Sequence, residues 1–129
     1  MHILSILQRI YLAPERFHSA ITFYEQLFQI KEGLRFDYTE KSLQLSQVGP
    51  FLLIAGDEQH LAPFIATTAT LVVDSLDEWL AFLLPQGSLL LDGPHEVPTG
   101  RNMLIQHPDG VRIEYVEHNH EKVASANTL

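Results

Sequence analysis

Residues 3–12, "ILSILQRIYL", are rich in Ile and Leu and read as a strand. The period then changes. In "PERFHSAITFYEQLF" the apolar residues Phe17, Ala20, Ile21, Tyr24, Leu27 and Phe28 recur every three or four positions. That spacing predicts a one-sided amphipathic helix, and Pro14 suits its first turn. Three further stretches follow: "KEGLRFDY", "KSLQLSQV" and "FLLIAG". In the second, Leu43 and Leu45 alternate with Ser42, Gln44 and Ser46, which is strand periodicity. Thr39-Glu40 and "VGP" at 48–50 supply the connections, so the first half reads strand, helix, three strands.

"DEQHLAP" at 57–63 is polar and turn-like and reads as a linker, placed at 57–65. "TTATLVV" is a β-branched strand, and "DSLDEWLAFLLPQG" carries the signals of a helix. Ser75 and Glu78 have capping-box spacing, Trp79, Leu80, Leu83 and Leu84 form the apolar face, and Pro85 and Gly87 end it. After it come "SLLLDG", a proline-containing loop "PHEVPTG", "RNMLIQ", a turn at "HPDG", and "VRIEYVE". The second half therefore repeats the first. The fold class is α+β, with half one over 3–56 and half two over 66–117. A unit of about 55 residues buries little on its own, so the two sheets are expected to pair within one domain, 1–120. The polar, aperiodic residues 121–129 read as a flexible tail.

Composition narrows the chemistry. There are no cysteines, which excludes disulfides, thiolate nucleophiles and zinc–thiolate sites. Eight basic and sixteen acidic side chains give a net charge of −8, and no basic cluster exists to hold phosphates, so nucleic acid is not an expected partner. No run of about 18 apolar residues could span a membrane, and the first segment lacks the features of a signal peptide. The expectation is a cytoplasmic protein.

The last strand holds one conspicuous residue. Alternation sends Val111, Ile113 and Tyr115 one way and Arg112, Glu114 and Val116 the other. Glu114 then either lies on a solvated face or looks into a cavity, and both readings stand at this point.

The tandem frame, with "FYEQLF" on the first helix and "HPDGVRIEYVE" at the end, resembles the vicinal oxygen chelate superfamily of glyoxalases, bleomycin-resistance proteins and extradiol dioxygenases. The resemblance implies tandem βαβββ modules that form a curled, partly open mixed β-sheet barrel with helices outside. It also implies four strand-borne ligands for a divalent ion that chelates two substrate oxygens. Glu114 matches the carboxylate of the last strand. The other three positions fall at Leu53, at Thr67 or Thr68, and at Leu7 or Arg9, none of which suits a catalytic divalent ion. The expected function is therefore a glyoxalase- or bleomycin-resistance-like protein that binds a small organic ligand without a metal cofactor. The candidate ligand-binding residues are Arg9, Tyr11, Phe36, Tyr38, Thr68, Arg101 and Glu114. The alternative is a metal-dependent lyase, isomerase or dioxygenase using Zn, Ni, Fe or Mn in an atypical ligand set.

Two histidines add smaller expectations. His95, in a loop, forms either an acid–base pair with Glu96 or a solvated pair. His107 stands where the family has Asp and is expected to accept a backbone hydrogen bond in its turn. A homodimer is implied by the resemblance and by the edges that open sheets leave to cover.

Overall fold

A computed structural model describes residues 1–129. Its elements are β1 (Ile3–Leu12), α1 (Phe17–Phe28), β2 (Leu34–Tyr38), β3 (Leu43–Val48), β4 (Phe51–Ala55) and α2 (Glu58–Leu61). They continue with β5 (Thr67–Val73), α3 (Leu76–Leu83), β6 (Leu89–Val97), β7 (Gly100–Gln106), β8 (Arg112–His118) and α4 (His120–Ala126). The fold is α+β, with a mixed eight-stranded sheet hydrogen-bonded in the order β2-β3-β4-β1-β5-β8-β7-β6. β1 pairs with β4, and β5 with β8, in parallel, while the hairpin partners are antiparallel. No helix is long and apolar enough to cross a membrane.

Contacts divide the chain into two units. The first comprises Gln8–Ile65 and Ala126–Leu129. Its core sets Phe17 and Ile21 of α1 against Val48, Leu53 and Ala55, with Ile10, Leu12, Tyr24, Phe28 and Phe51 packed around them. Tyr24 and Phe28 both meet the Phe51 ring edge-on at centroid distances of 5.1 Å. The helical recurrence in the sequence is thus the stripe that this sheet face buries. Each large side chain so buried contributes about 1.5–3 kcal/mol. α1 stops at Gln29, whose left-handed backbone (φ 53°) ends the hydrogen-bonded spiral.

The second unit comprises Met1–Leu7 and Ala66–Ser125. Leu76 and Leu83 of α3 pack on Val73, Met103, Ile105, Ile113 and Tyr115, with Trp79 and Leu80 alongside. The Ser75 side chain accepts from the Glu78 amide, the cap that the spacing predicts.

Three segments differ from expectation. The linker contains a short helix, α2, capped by Asp57 accepting from the His60 amide. β6 runs through Pro94, so "PHEVPTG" is largely strand and His95 is not in a loop. An end strand tolerates a residue without an N–H, and β6 is an end strand. The tail expected to be flexible is helical over His120–Ala126, started by Asn119 Oδ1 accepting from the Lys122 amide. Beyond it, Thr128 N–H donates to the Arg35 carbonyl at 2.7 Å.

Candidate functional site

On β8, Ile113 and Tyr115 are buried against α3, so the intervening Glu114 occupies the opposite sheet face. The register sets Thr70 of β5 and Leu104 of β7 directly beside it. Thr70 Oγ1 donates to Glu114 Oε1 at 2.8 Å, and Asn102 Nδ2 donates to Glu114 Oε2 at 2.6 Å. Val72 and Val116, register partners on the same face, are buried beside this group. The result is a half-buried carboxylate to which the Thr70 hydroxyl and the Asn102 amide each donate. With Nδ2 committed to Glu114, the Asn102 amide leaves Oδ1 buried and without a hydrogen-bond partner. His118 lies two residues beyond Val116 on the same face. Burial holds its imidazole below the usual histidine range and His120 adds to this, while the Glu114 carboxylate pulls it upward.

The other candidates fall in different places. Thr68 is the extra residue of a β-bulge between Thr67 and Ala69; it is exposed, with Oγ1 donating to the Arg112 carbonyl at 3.3 Å. The bulge shifts the alternation, and Thr70 is the residue that meets Glu114. Arg101 lies apart from Glu114. It pairs in register with Glu117, which lies on the face opposite Glu114, and its guanidinium is 3.8 Å from both Glu117 and Asp77 of α3. A shift of one residue along a strand changes the face, and Asn102 takes the position beside Glu114.

In the unit of α1, Arg9 and Tyr11 are register partners of Leu52 and Ile54. Ile54 pairs with Leu45, Leu45 with Phe36, and Leu43 with Tyr38. Arg9, Tyr11, Phe36 and Tyr38 therefore share the sheet face that α1 does not cover. The Tyr11 hydroxyl donates to the Phe64 carbonyl at 2.6 Å and accepts from Arg9 Nη1 at 3.1 Å. Phe36 is buried and the other three are half-buried.

The histidine expectations are corrected too. His95 Nε2 is 3.0 Å from Asp92 Oδ2, while Glu96 pairs with Lys122, so His95 and Glu96 do not act together. His107 Nε2 meets the Tyr115 hydroxyl at 2.8 Å, and its turn is closed by backbone groups of His107, Gly110 and Val111. Burial raises the Tyr115 pKa above the usual phenol range.

The chelate that the family implies does not fit these residues. Leu53 is fully buried in the core under α1, and Thr67 is buried. No three His, Asp or Glu side chains stand where they could hold a metal ion. Sequence reasoning misses Thr70 and Asn102, because their relation to Glu114 depends on inter-strand register. The one signal it offers is the alternation of Asn102 with Leu104.

No family model and no curated protein matches the chain. Solved structures do. An uncharacterized protein from Methanosarcina mazei is 46% identical over 92% of this chain and 95% of its own, with a TM-score of 0.85. Methylmalonyl-CoA epimerase from Mycobacterium tuberculosis is 23% identical, covering 96% of this chain and 93% of its own, with a TM-score of 0.68. A single-residue variant of Streptomyces coelicolor methylmalonyl-CoA epimerase, in complex with 2-nitronate-propionyl-CoA, is 17% identical over 89% and 98%, with a TM-score of 0.59. The chain has the glyoxalase-like fold of the vicinal oxygen chelate proteins. The epimerases share this fold, and the Methanosarcina mazei protein shares its sequence as well. Activity does not follow from fold, so the functional reading rests on this chain's own side chains.

Proposed function

We propose that this protein, with its glyoxalase-like fold, binds a small organic molecule through fixed hydrogen-bonding groups and apolar contacts rather than through a metal chelate. The observation that carries the reading is the Thr70–Glu114–Asn102 arrangement. Both carboxylate oxygens accept from neutral side chains, and the neighbours on that face are Val72, Leu104 and Val116. Apolar walls with a few fixed polar groups suit an organic ligand. The other unit offers a comparable set of its own in Arg9, Tyr11, Phe36 and Tyr38.

Thermal-shift titration of the purified protein with small aromatic acids, aromatic amines and acyl-CoA thioesters tests this, alongside metal analysis. A ligand that binds the folded state raises Tm in proportion to occupancy. The expected result is a saturable rise that Glu114→Gln or Asn102→Ala weakens, with no stoichiometric metal. Stoichiometric Zn, Ni, Fe or Mn lost together with ligand binding on Glu114→Gln would instead establish the metal-dependent reading.

A further inference from the structure

β1 and β4 run parallel, with Leu12 and Ala55 as their last register partners. The Gly56 N–H donates to the Leu12 carbonyl at 3.1 Å, and beyond that bond the two segments part. One enters a tight turn at Pro14–Arg16, closed by the Arg16 N–H donating to the Ala13 carbonyl at 3.0 Å. The other enters α2, fixed by its Asp57 cap. A cleft of about 510 Å³ lies between them, within the unit that holds Gln8–Ile65. Pro14, Leu61, Ala62 and Ile65 give it an apolar lining. The Ile65 N–H donates to the Leu61 carbonyl at 3.2 Å, which holds the exposed Ile65 side chain near Leu61. Thr70, Asn102 and Glu114 take no part in this cleft.

We propose that this cleft binds a small organic cation, an ammonium group carried on an apolar body. Size comes first: the volume falls within the range of about 300–1,000 Å³ that small-molecule clefts occupy. Charge selects the ligand further. Every charged residue in the lining is acidic, namely Glu15, Asp57 and Glu58. Asp57 Oδ1 is committed to His60, accepting from its amide at 2.8 Å and lying 2.7 Å from its Nδ1. Glu15 from the turn and Glu58 from α2 therefore supply the charge that meets a ligand, one from each wall. An anion is repelled by both, and a neutral apolar molecule gains nothing from either. A bare metal ion has no use for the apolar lining, and no three His, Asp or Glu side chains stand where they could hold one. An ammonium on an apolar body meets both kinds of surface at once.

Methyl NMR of the full chain, titrated with phenethylammonium chloride, tests this. Saturable shifts are expected at Leu61, Ala62 and Ile65. Phenethyl alcohol should bind more weakly, hydrocinnamate should not bind, and added salt should weaken the ammonium complex. Glu15→Gln and Glu58→Gln should each raise Kd about two- to fivefold, the worth of an exposed ion pair. Glu40→Gln, an exposed carboxylate between β2 and β3, should leave Kd unchanged. Ala62→Arg, which brings a cation of its own to the cleft, should abolish binding with unchanged circular dichroism. Phenethyl alcohol binding as tightly as the ammonium overturns the proposal. So does a loss of affinity in Glu40→Gln equal to that in Glu58→Gln, which would assign the effect to the net charge of the chain. Shifts at Thr70, Val72 and Val116 with none at Leu61 or Ile65 overturn it as well, and leave the reading of the Glu114 face standing.

Discussion

Thr70 and Glu114 are register partners on the parallel strands β5 and β8, and hydroxyl meets carboxylate at 2.8 Å although 44 residues separate them in sequence. Asn102 approaches the other oxygen diagonally from β7, so three strands converge on one acidic group. Thr70 is 2% exposed, and loss of its hydroxyl would strip a donor from a half-buried charge. Hydrogen bonds to charged groups are worth about 1.5–3 kcal/mol. Thr70→Val, nearly the same shape, should lower unfolding stability by that amount in urea denaturation, and Thr70→Ser should recover most of it. Equal stability of the valine and serine variants would mean that the hydroxyl contributes nothing.

This convergence also marks the boundary of what the sequence discloses. Helical recurrence from Phe17 to Phe28, alternation at Leu43 and Leu45, and the Ser75 cap are local patterns, and each has its counterpart in the structure. The face of Glu114 is legible for the same reason. Its partners are not, because register between distant strands is decided by packing and leaves no local trace. A bulge at Thr68 displaces the alternation on β5, and a one-residue difference in register gives Arg101 to α3 and Asn102 to Glu114. The helix of the tail escapes sequence reasoning because a polar segment that docks through Asn119, Lys122 and Thr128 has no apolar stripe to announce it.

Glu32 supplies a pH-dependent contribution. Its side chain is 5% exposed. Burial alone would raise its pKa. Hydrogen bonds from Arg35 and Ser46, with the Arg35 charge, outweigh this and hold the carboxyl below the usual glutamate range. A depressed carboxyl stabilises the fold above its unfolded pKa, and that stability is lost as pH falls through the folded value. Glu32→Gln should therefore be less stable than wild type near neutrality, by about 1.5–3 kcal/mol. The gap should close in acid, below the ordinary glutamate pKa. Denaturation curves at a series of pH values check this, and a gap independent of pH would exclude the ionised contact.

His118 reports on Glu114. Burial lowers its pKa and the nearby carboxylate opposes that effect. Removing the charge removes the opposing influence, so Glu114→Gln should move the His118 pKa further down. NMR titration of the imidazole resonances measures the shift. An unchanged or raised His118 value in the variant would show that the two groups do not interact.

Gly100 starts β7 opposite His118, and a side chain there has no room. A Cβ would lie 2.0 Å from the Glu117 carbonyl oxygen and 3.0 Å from the Asn119 amide nitrogen. Both are backbone atoms, which cannot rotate aside as a flexible side chain can. Gly100→Ala must therefore force β7 away from the end of β8, next to the Lys122 contact with the Gly100 carbonyl. A loss of more than about 4 kcal/mol, the range reserved for severe lesions, is expected. Gly33 is the control. A Cβ there would meet one neighbour, the Gln47 carbonyl oxygen, at 3.7 Å, an ordinary contact. Gly33→Ala should be neutral or stabilising by up to about 1 kcal/mol, through the reduced entropy of the unfolded chain. Thermal and urea unfolding of the two variants side by side decide the matter. Comparable losses in both would mean that the crowding at Gly100 is relieved by movement that the packing of β7 on β8 does not resist.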